Sequence, residues 1–286
     1  MKTLLHVNYF EGKGRLREFL DLVINAGYDG MELRWKYRYD DMTQEEYQQF
    51  LSAWKSAHPD KEIVFGGAVP YCRGKADEVK SAEEAYLKFL EWAAKECGTK
   101  VMNFFTGDIQ PEGVVWTDYA HNGSGGADEG DYERSAAGLR TVGDAAAKLG
   151  VLIALETHNA YLHDIASACR KLMDLTAHDA VGLNYDQGNI ILNPNGEGIP
   201  QVFETIGDKI YYAHLKNMLM IRKTDGAYCC CRLSDGHIDT TEVMRRLKGT
   251  LKSGMFAVEY PNTGDGIYAA FKDMEYIKFI RDYLRI

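Results

Sequence analysis

Two hydrophobic periods alternate along this chain. Short apolar runs at 4–8, 31–34, 61–66, 101–106, 151–156, 209–214 and 255–259, with one more (AVGLNYD) closing on Asp186, read as strands buried on both faces. Between them, apolar residues recur three or four apart, which predicts helices over 15–26, 44–57, 81–97, 131–149, 165–175, around Val202, over 240–252 and over 269–284. In the second helix Tyr47, Phe50, Leu51 and Trp54 form the buried stripe. Ser81 is placed to cap the third, and Gly98 to stop it.

Alternating β and α units imply a parallel sheet. Eight such units without a composition shift favour a closed (β/α)8 TIM barrel, one domain over residues 1–286, over a doubly wound sheet. No GxGxxG follows the first strand and no GxxxxGK[ST] occurs, so dinucleotide and P-loop sites have no support. Two passages are longer than barrel connectors need. Residues 107–130 are polar and glycine-rich, and read as a lid or as a disordered surface loop. Residues 216–236 read as a hairpin excursion turning at Asp225-Gly226.

Four of the last apolar runs end on chemistry: Glu156, Asp186, His214 and Glu259. An unpaired carboxylate inside an apolar layer is too costly, so these positions belong at a mouth. A barrel brings the C-terminal ends of its fifth to eighth strands to one mouth, where the four become neighbours. Each alone has an ordinary explanation, such as a helix cap or a structural histidine. Together they outline an oxygen-rich metal site suited to Mn²⁺, Mg²⁺ or Co²⁺, with Zn²⁺ as a further option.

Composition narrows the partners. The 33 Lys+Arg against 42 Asp+Glu give a net charge of −9, which disfavours nucleic acid. No run approaches the roughly 20 apolar residues of a membrane span, and MKTLLHVNYFEGKG lacks the apolar core of a signal peptide. The six cysteines include the run Cys229, Cys230 and Cys231 but no CxxC. Neither a structural zinc site nor a redox motif is signalled, and a reducing cytoplasm is expected.

The motifs GYDGMELR, LETH (155–158), DQGN (186–189), HLKN (214–217) and SDGHID (234–239) resemble those of the sugar isomerase/epimerase family with the xylose-isomerase-like barrel. That family includes ketose 3-epimerases, hydroxypyruvate isomerase and inosose dehydratase, and the resemblance covers nearly the whole chain. It implies metal ligands at Glu156, Asp186, His214 and Glu259, with Glu156 and Glu259 doubling as acid/base groups. It also implies a divalent cation, Mn²⁺ first, a small carbohydrate substrate, and a homodimer or homotetramer.

The chemistry is coherent. A metal bridging a carbonyl and an adjacent hydroxyl acidifies the C–H between them, and two carboxylates can remove and return that proton. Return to the same carbon from the other face is epimerisation; return to the neighbouring carbon is isomerisation. Loss of a β-hydroxyl is dehydration, and a related β-elimination would cleave 3-keto-glycosides.

Further candidates for the substrate are His158, Asn189, Lys216, Arg222 and His237. Lys216 stands where the family often binds substrate oxygens, and Asn189 departs from the His that epimerases often carry there. Glu32 and Arg34 end the second strand and are placed to face the mouth, with an ion pair between them as one option, while Trp35, Phe105 and Trp116 are available as an apolar wall. The abasic-site endonuclease relatives carry ENxAG and DTCH where this chain has ETHNA and DQGN, so that reading is weak. A non-catalytic sugar-binding barrel would need a broken ligand set.

Overall fold

A computed structural model describes residues 1–10, 16–36, 42–222, 227–261 and 265–286. The elements run β1 Lys2–His6, α1 Leu16–Asn25, β2 Gly30–Arg34, α2 Gln44–Ala57, β3 Glu62–Ala68, α3 Ala76–Glu96, β4 Val101–Phe105 and α4 Glu129–Leu149. Then follow β5 Leu152–Glu156, α5 Ala166–Thr176, β6 Val181–Asp186, α6 Gln187–Ile190, α7 Ile199–Ile206 and β7 Ile210–Leu215. A hairpin, β8 Asn217–Arg222 with β9 Ala227–Cys231, precedes α8 Thr240–Leu247, β10 Met255–Val258 and α9 Gly266–Leu284. Eight parallel strands close in the order β1-β10-β7-β6-β5-β4-β3-β2, and β8-β9 stand outside the barrel. The expected (β/α)8 architecture is the one observed.

The period of two along each strand builds the interior. Leu4, Val64, Val101, Ala154, Tyr212, Met255 and Ala257 form an apolar cluster apart from the larger one that packs the strands against the helices. Two residues further along the same strands come His6, Asn103, Glu156, His214 and Glu259, all buried. The barrel floor is thus apolar and the layer above it polar, on the same inward face. Register aligns the polar layer: Asp186 lies beside His214, and His6 beside Glu32.

Several boundaries differ from the sequence reading. β1 closes at His6, two residues before the expected end, because the Asn8 backbone N–H donates to His6 Nδ1 at 3.1 Å and residues 7–10 turn into a 3-10 helix. Helix α3 starts at Ala76 instead of Ser81; the Glu78 carboxylate accepts from the Lys75 N–H at 3.3 Å and opens it earlier. Asp128 and Asp131 form a capping box that opens α4 at Glu129. α8 stops at Leu247, short of residue 252, with Gly249 in a left-handed conformation at φ 84°. The hairpin pairs antiparallel as expected, while its turn at Asp225-Gly226 lies outside the described residues. Cys229 to Cys231 sit half-buried on β9, and all six cysteines are free.

Among the described residues no helix is long and apolar enough to cross a membrane. The passage before α4 is tied to the connector after β5: the Ile109 N–H donates to Ala160 O at 2.5 Å, and Asp108 bridges Tyr161.

Candidate metal centre

Glu156 ends β5, Asp186 ends β6, His214 lies near the end of β7 and Glu259 directly follows β10. One ligand atom from each lies within 4.8 Å of the others, and all four side chains are buried. His214 Nδ1 is 3.4 Å from Glu156 Oε2, 3.6 Å from Glu259 Oε2 and 4.0 Å from Asp186 Oδ2. It has no hydrogen-bond partner although it is fully buried. An orphaned imidazole nitrogen facing three carboxylates is what a divalent cation with N/O ligands requires, so the donor set fits a metal.

Neighbouring residues fix the ligands. Asn189 Nδ2 lies 3.1 Å from Glu156 Oε1, 3.0 Å from Asp186 Oδ2 and 2.9 Å from Thr157 O, knitting the ends of β5 and β6 together. Asp186 caps the short α6, its Oδ1 accepting the Asn189 N–H at 3.2 Å. Asn8 Nδ2 donates to Glu259 Oε1 at 2.8 Å. Lys216 Nζ, also buried, is 2.8 Å from Asp186 Oδ2 and 3.1 Å from Glu259 Oε2. A Cβ on Gly188 would sit 2.6 Å from Lys216 Cγ, so the glycine of DQGN makes room for the lysine of HLKN. Asn217 secures the excursion: its Nδ2 donates to Leu233 O at 2.8 Å and Ile238 O at 2.9 Å. A side chain at Gly236 would meet Asn217 Oδ1 at 2.1 Å, which ties SDGHID to HLKN.

The electrostatics are those of a dense, dry cluster. Burial alone would raise the Glu156 carboxyl, but the adjacent His214 holds it well below the usual range. Burial, with Glu259 and Glu156 close by, pushes Asp186 up to about 7 against the pull of Lys216. Burial disfavours charge on Lys216 as well, yet Asp186 and Glu259 outweigh it and keep the ammonium protonated.

The other sequence candidates divide. Asn189 and Lys216 are in the cluster. His158 is beside it, half-buried among Phe105, Trp116 and Tyr161 at ring-centroid distances of 5.6, 5.9 and 5.2 Å. Phe105 and Trp116 thus both pack on His158, with Trp116 reaching it from the long passage before α4. Trp35 instead packs on Tyr86 and Phe89. His237 is exposed, its Nδ1 bonded to the Met220 N–H at 3.1 Å at the hairpin base, and it makes no bond to the cluster. The Arg222 side chain lies outside the described residues. The Glu32–Arg34 pair does not form: Glu32 turns inward to His214, and Arg34 Nη2 donates to Asn8 Oδ1 at 2.8 Å.

Sequence reasoning passed over His6, Asn8, Asn103, Tyr212 and His163, while Glu32 was expected to face the mouth, as it does. His6, Glu32 and Asn103 did carry a signal, as isolated polar residues in the strands KTLLH, GMELR and VMNFF; Asn8 and His163 lie outside strands.

His163 gives a pH prediction. Its Nδ1 bonds the Glu156 carbonyl, and burial pushes its pKa down to about 4 despite that bond. The unfolded chain titrates near 6.5, so the folded state favours neutral imidazole. The stability this contributes is complete above about pH 6.5 and lost as pH falls toward 4, a change of about 3 kcal/mol. Urea unfolding of wild type and His163→Gln across that window should converge as pH drops. Parallel curves would show that His163 contributes no such dependence.

The family model described as xylose isomerase-like TIM barrel matches residues 20–281. A similar protein is an inosose dehydratase of Lacticaseibacillus casei, 26% identical over 208 residues, which are 70% of this chain and 62% of that protein. The match thus spans less than two thirds of the relative's length. Among solved structures, a D-tagatose 3-epimerase-like protein superposes with TM-score 0.74 at 17% identity, covering 100% of this chain and 98% of its own. The IolI protein, whose structure carries a zinc atom, gives TM-score 0.71 at 17% identity, with 99% and 98% covered. With its closed eight-stranded barrel and a family match across almost its whole length, this chain belongs to the xylose isomerase-like TIM barrel family.

Proposed function

We propose that this protein is a divalent-metal-dependent isomerase or epimerase of a small carbohydrate, a ketose, aldose or related polyol ketone, acting through an enediolate. The observation that carries the reading is the convergence of Glu156, Asp186, Glu259 and the unpartnered His214 Nδ1. A bound Mn²⁺, or Mg²⁺, Co²⁺ or Zn²⁺ in its place, would polarise a substrate carbonyl and its neighbouring hydroxyl.

The residues then divide the work. Glu156 ends β5 and Glu259 directly follows β10, and both side chains are buried. Glu156, at the end of β5, would accept a proton from carbon. Glu259, beside the Lys216 ammonium, would exchange a proton at the other face. The Lys216 ammonium is fixed 3.1 Å from Glu259, where it can meet negative charge developing on a substrate oxygen. Phe105 and Trp116 offer an apolar surface to a sugar ring face, with His158 between them.

A second reading, dehydration by the same bases, is favoured by the similarity to an inosose dehydratase. Expelling a β-hydroxyl needs the same first proton abstraction, so only substrate register separates the two outcomes.

The test is NMR of a panel of ketoses, aldoses, inososes and 3-keto-glycosides with protein and Mn²⁺ in D₂O. Deuterium entering at a carbon beside a carbonyl, in a product of unchanged formula, is the expected result. A product short of one water would select the dehydratase reading. No exchange and no conversion anywhere in the panel would contradict both.

A further inference from the structure

Beneath the four clustered residues lies a second buried group: His6, Glu32 and His214 also offer ligand atoms within 4.8 Å of one another. Its hydrogen bonds argue against a second cation there. The Asn8 N–H donates to His6 Nδ1, which leaves the proton of neutral His6 on Nε2, 3.6 Å from Glu32 Oε1. His214 Nε2 lies 2.7 Å from Glu32 Oε2. Tyr212 donates its hydroxyl to the same oxygen at 2.9 Å, and Asn103 Nδ2 donates to Oε1 at 3.0 Å. Glu32 is fully buried, on a different strand from every residue of the cluster above it. His214, Tyr212 and Asn103 all bond this one carboxylate, which commits it to hydrogen bonding rather than to an ion.

We propose that Glu32 is a positioning residue for the metal centre: it keeps the His214 proton on Nε2, so that Nδ1 faces Glu156, Asp186 and Glu259 as a lone pair, and through Asn103 it orients Glu156. The inference rests on the metal-centre reading above. Ring orientation and tautomer of a ligating histidine are set by what its other nitrogen bonds, and such outer partners matter to affinity. Asn103 carries the second path, because its Nδ2 is also 2.7 Å from Glu156 Oε2 while its Oδ1 has no partner.

The isosteric change Glu32→Gln exposes both paths. If the new amide takes the Oε2 position, its N–H groups face His214 Nε2 and favour moving the imidazole proton to Nδ1, the metal-facing atom. If it takes the Oε1 position, it opposes the Asn103 amide, whose flip would withdraw the donor from Glu156. Either placement damages the metal site while leaving side-chain volume unchanged.

The experiment is Zn²⁺ titration by calorimetry into chelator-treated wild type and Glu32→Gln. It is paired with ¹⁵N-histidine NMR of Zn²⁺-loaded wild type, which does not depend on the variant folding. The expected results are a Kd weakened about 10- to 100-fold in the variant, and in wild type a His214 ring protonated on Nε2 and bound through Nδ1. Equal affinities in a folded variant, or coordination through Nε2, would overturn the proposal while leaving the metal-centre reading intact. A wild type that takes up no Zn²⁺ would overturn both.

Discussion

Glu259→Gln is expected to lower kcat by about three orders of magnitude, within the range for loss of a positioned acid/base group, while the barrel still folds. The carboxylate stands directly after β10 with Oε1 bonded to Asn8 and Oε2 3.1 Å from Lys216. Glutamine keeps the shape and can keep the Asn8 bond through its amide oxygen, but it cannot exchange a proton with carbon and is a poorer ligand. Lys216 retains Asp186 at 2.8 Å, so the substitution does not strand a buried ammonium. Steady-state kinetics on whichever substrate exchanges deuterium, together with the thermal unfolding midpoint, checks both halves. A folded Glu259→Gln protein turning over at the wild-type rate would remove Glu259 from the chemistry.

Metal removal carries the other large expected effect. Three carboxylates, each with an oxygen no more than 4.0 Å from one imidazole nitrogen, repel one another in a buried site. Burial and this repulsion have already driven Asp186 up to about 7. A divalent cation relieves the repulsion only in the folded state, so it stabilises the fold by mass action, about 2.7 kcal/mol at a hundred times its Kd. Chelation with EDTA should therefore abolish turnover and lower the unfolding midpoint, and Mn²⁺ or Co²⁺ should restore both. Full activity after exhaustive chelation would remove the cation from the mechanism.

Much of this was legible in the chain. An apolar run that ends on a carboxylate is a strong signal because burial of unpaired charge is so costly; Glu156, Asp186 and Glu259 each stood at such an end, and His214 joined them from YYAHL. The alternation of helix and strand was equally plain, and α2 has the bounds predicted for it. What escaped was the layer below. His6, Glu32, Asn103 and Tyr212 are single polar residues inside short strands, and their meaning depends on the register across four strands that are distant in sequence. No local pattern states that Glu32 faces His214, 182 residues away, instead of Arg34, two residues away. Helix starts slipped for a simpler reason: Ser81 is a good cap by type, but Glu78 reaching back to Lys75 opened α3 first. His237 was a substrate candidate because it lies on the long excursion; its Nδ1 accepts the Met220 N–H, and the next residue, Ile238, is tied to Asn217.

The central claim is that Glu156, Asp186, His214 and Glu259 hold one divalent cation. Electron paramagnetic resonance of free Mn²⁺ during titration of metal-stripped wild type and Asp186→Asn tests it most directly. One tightly held ion per chain in wild type, lost or greatly weakened in Asp186→Asn, is the predicted result. No uptake by wild type, or equal uptake by both, would contradict it.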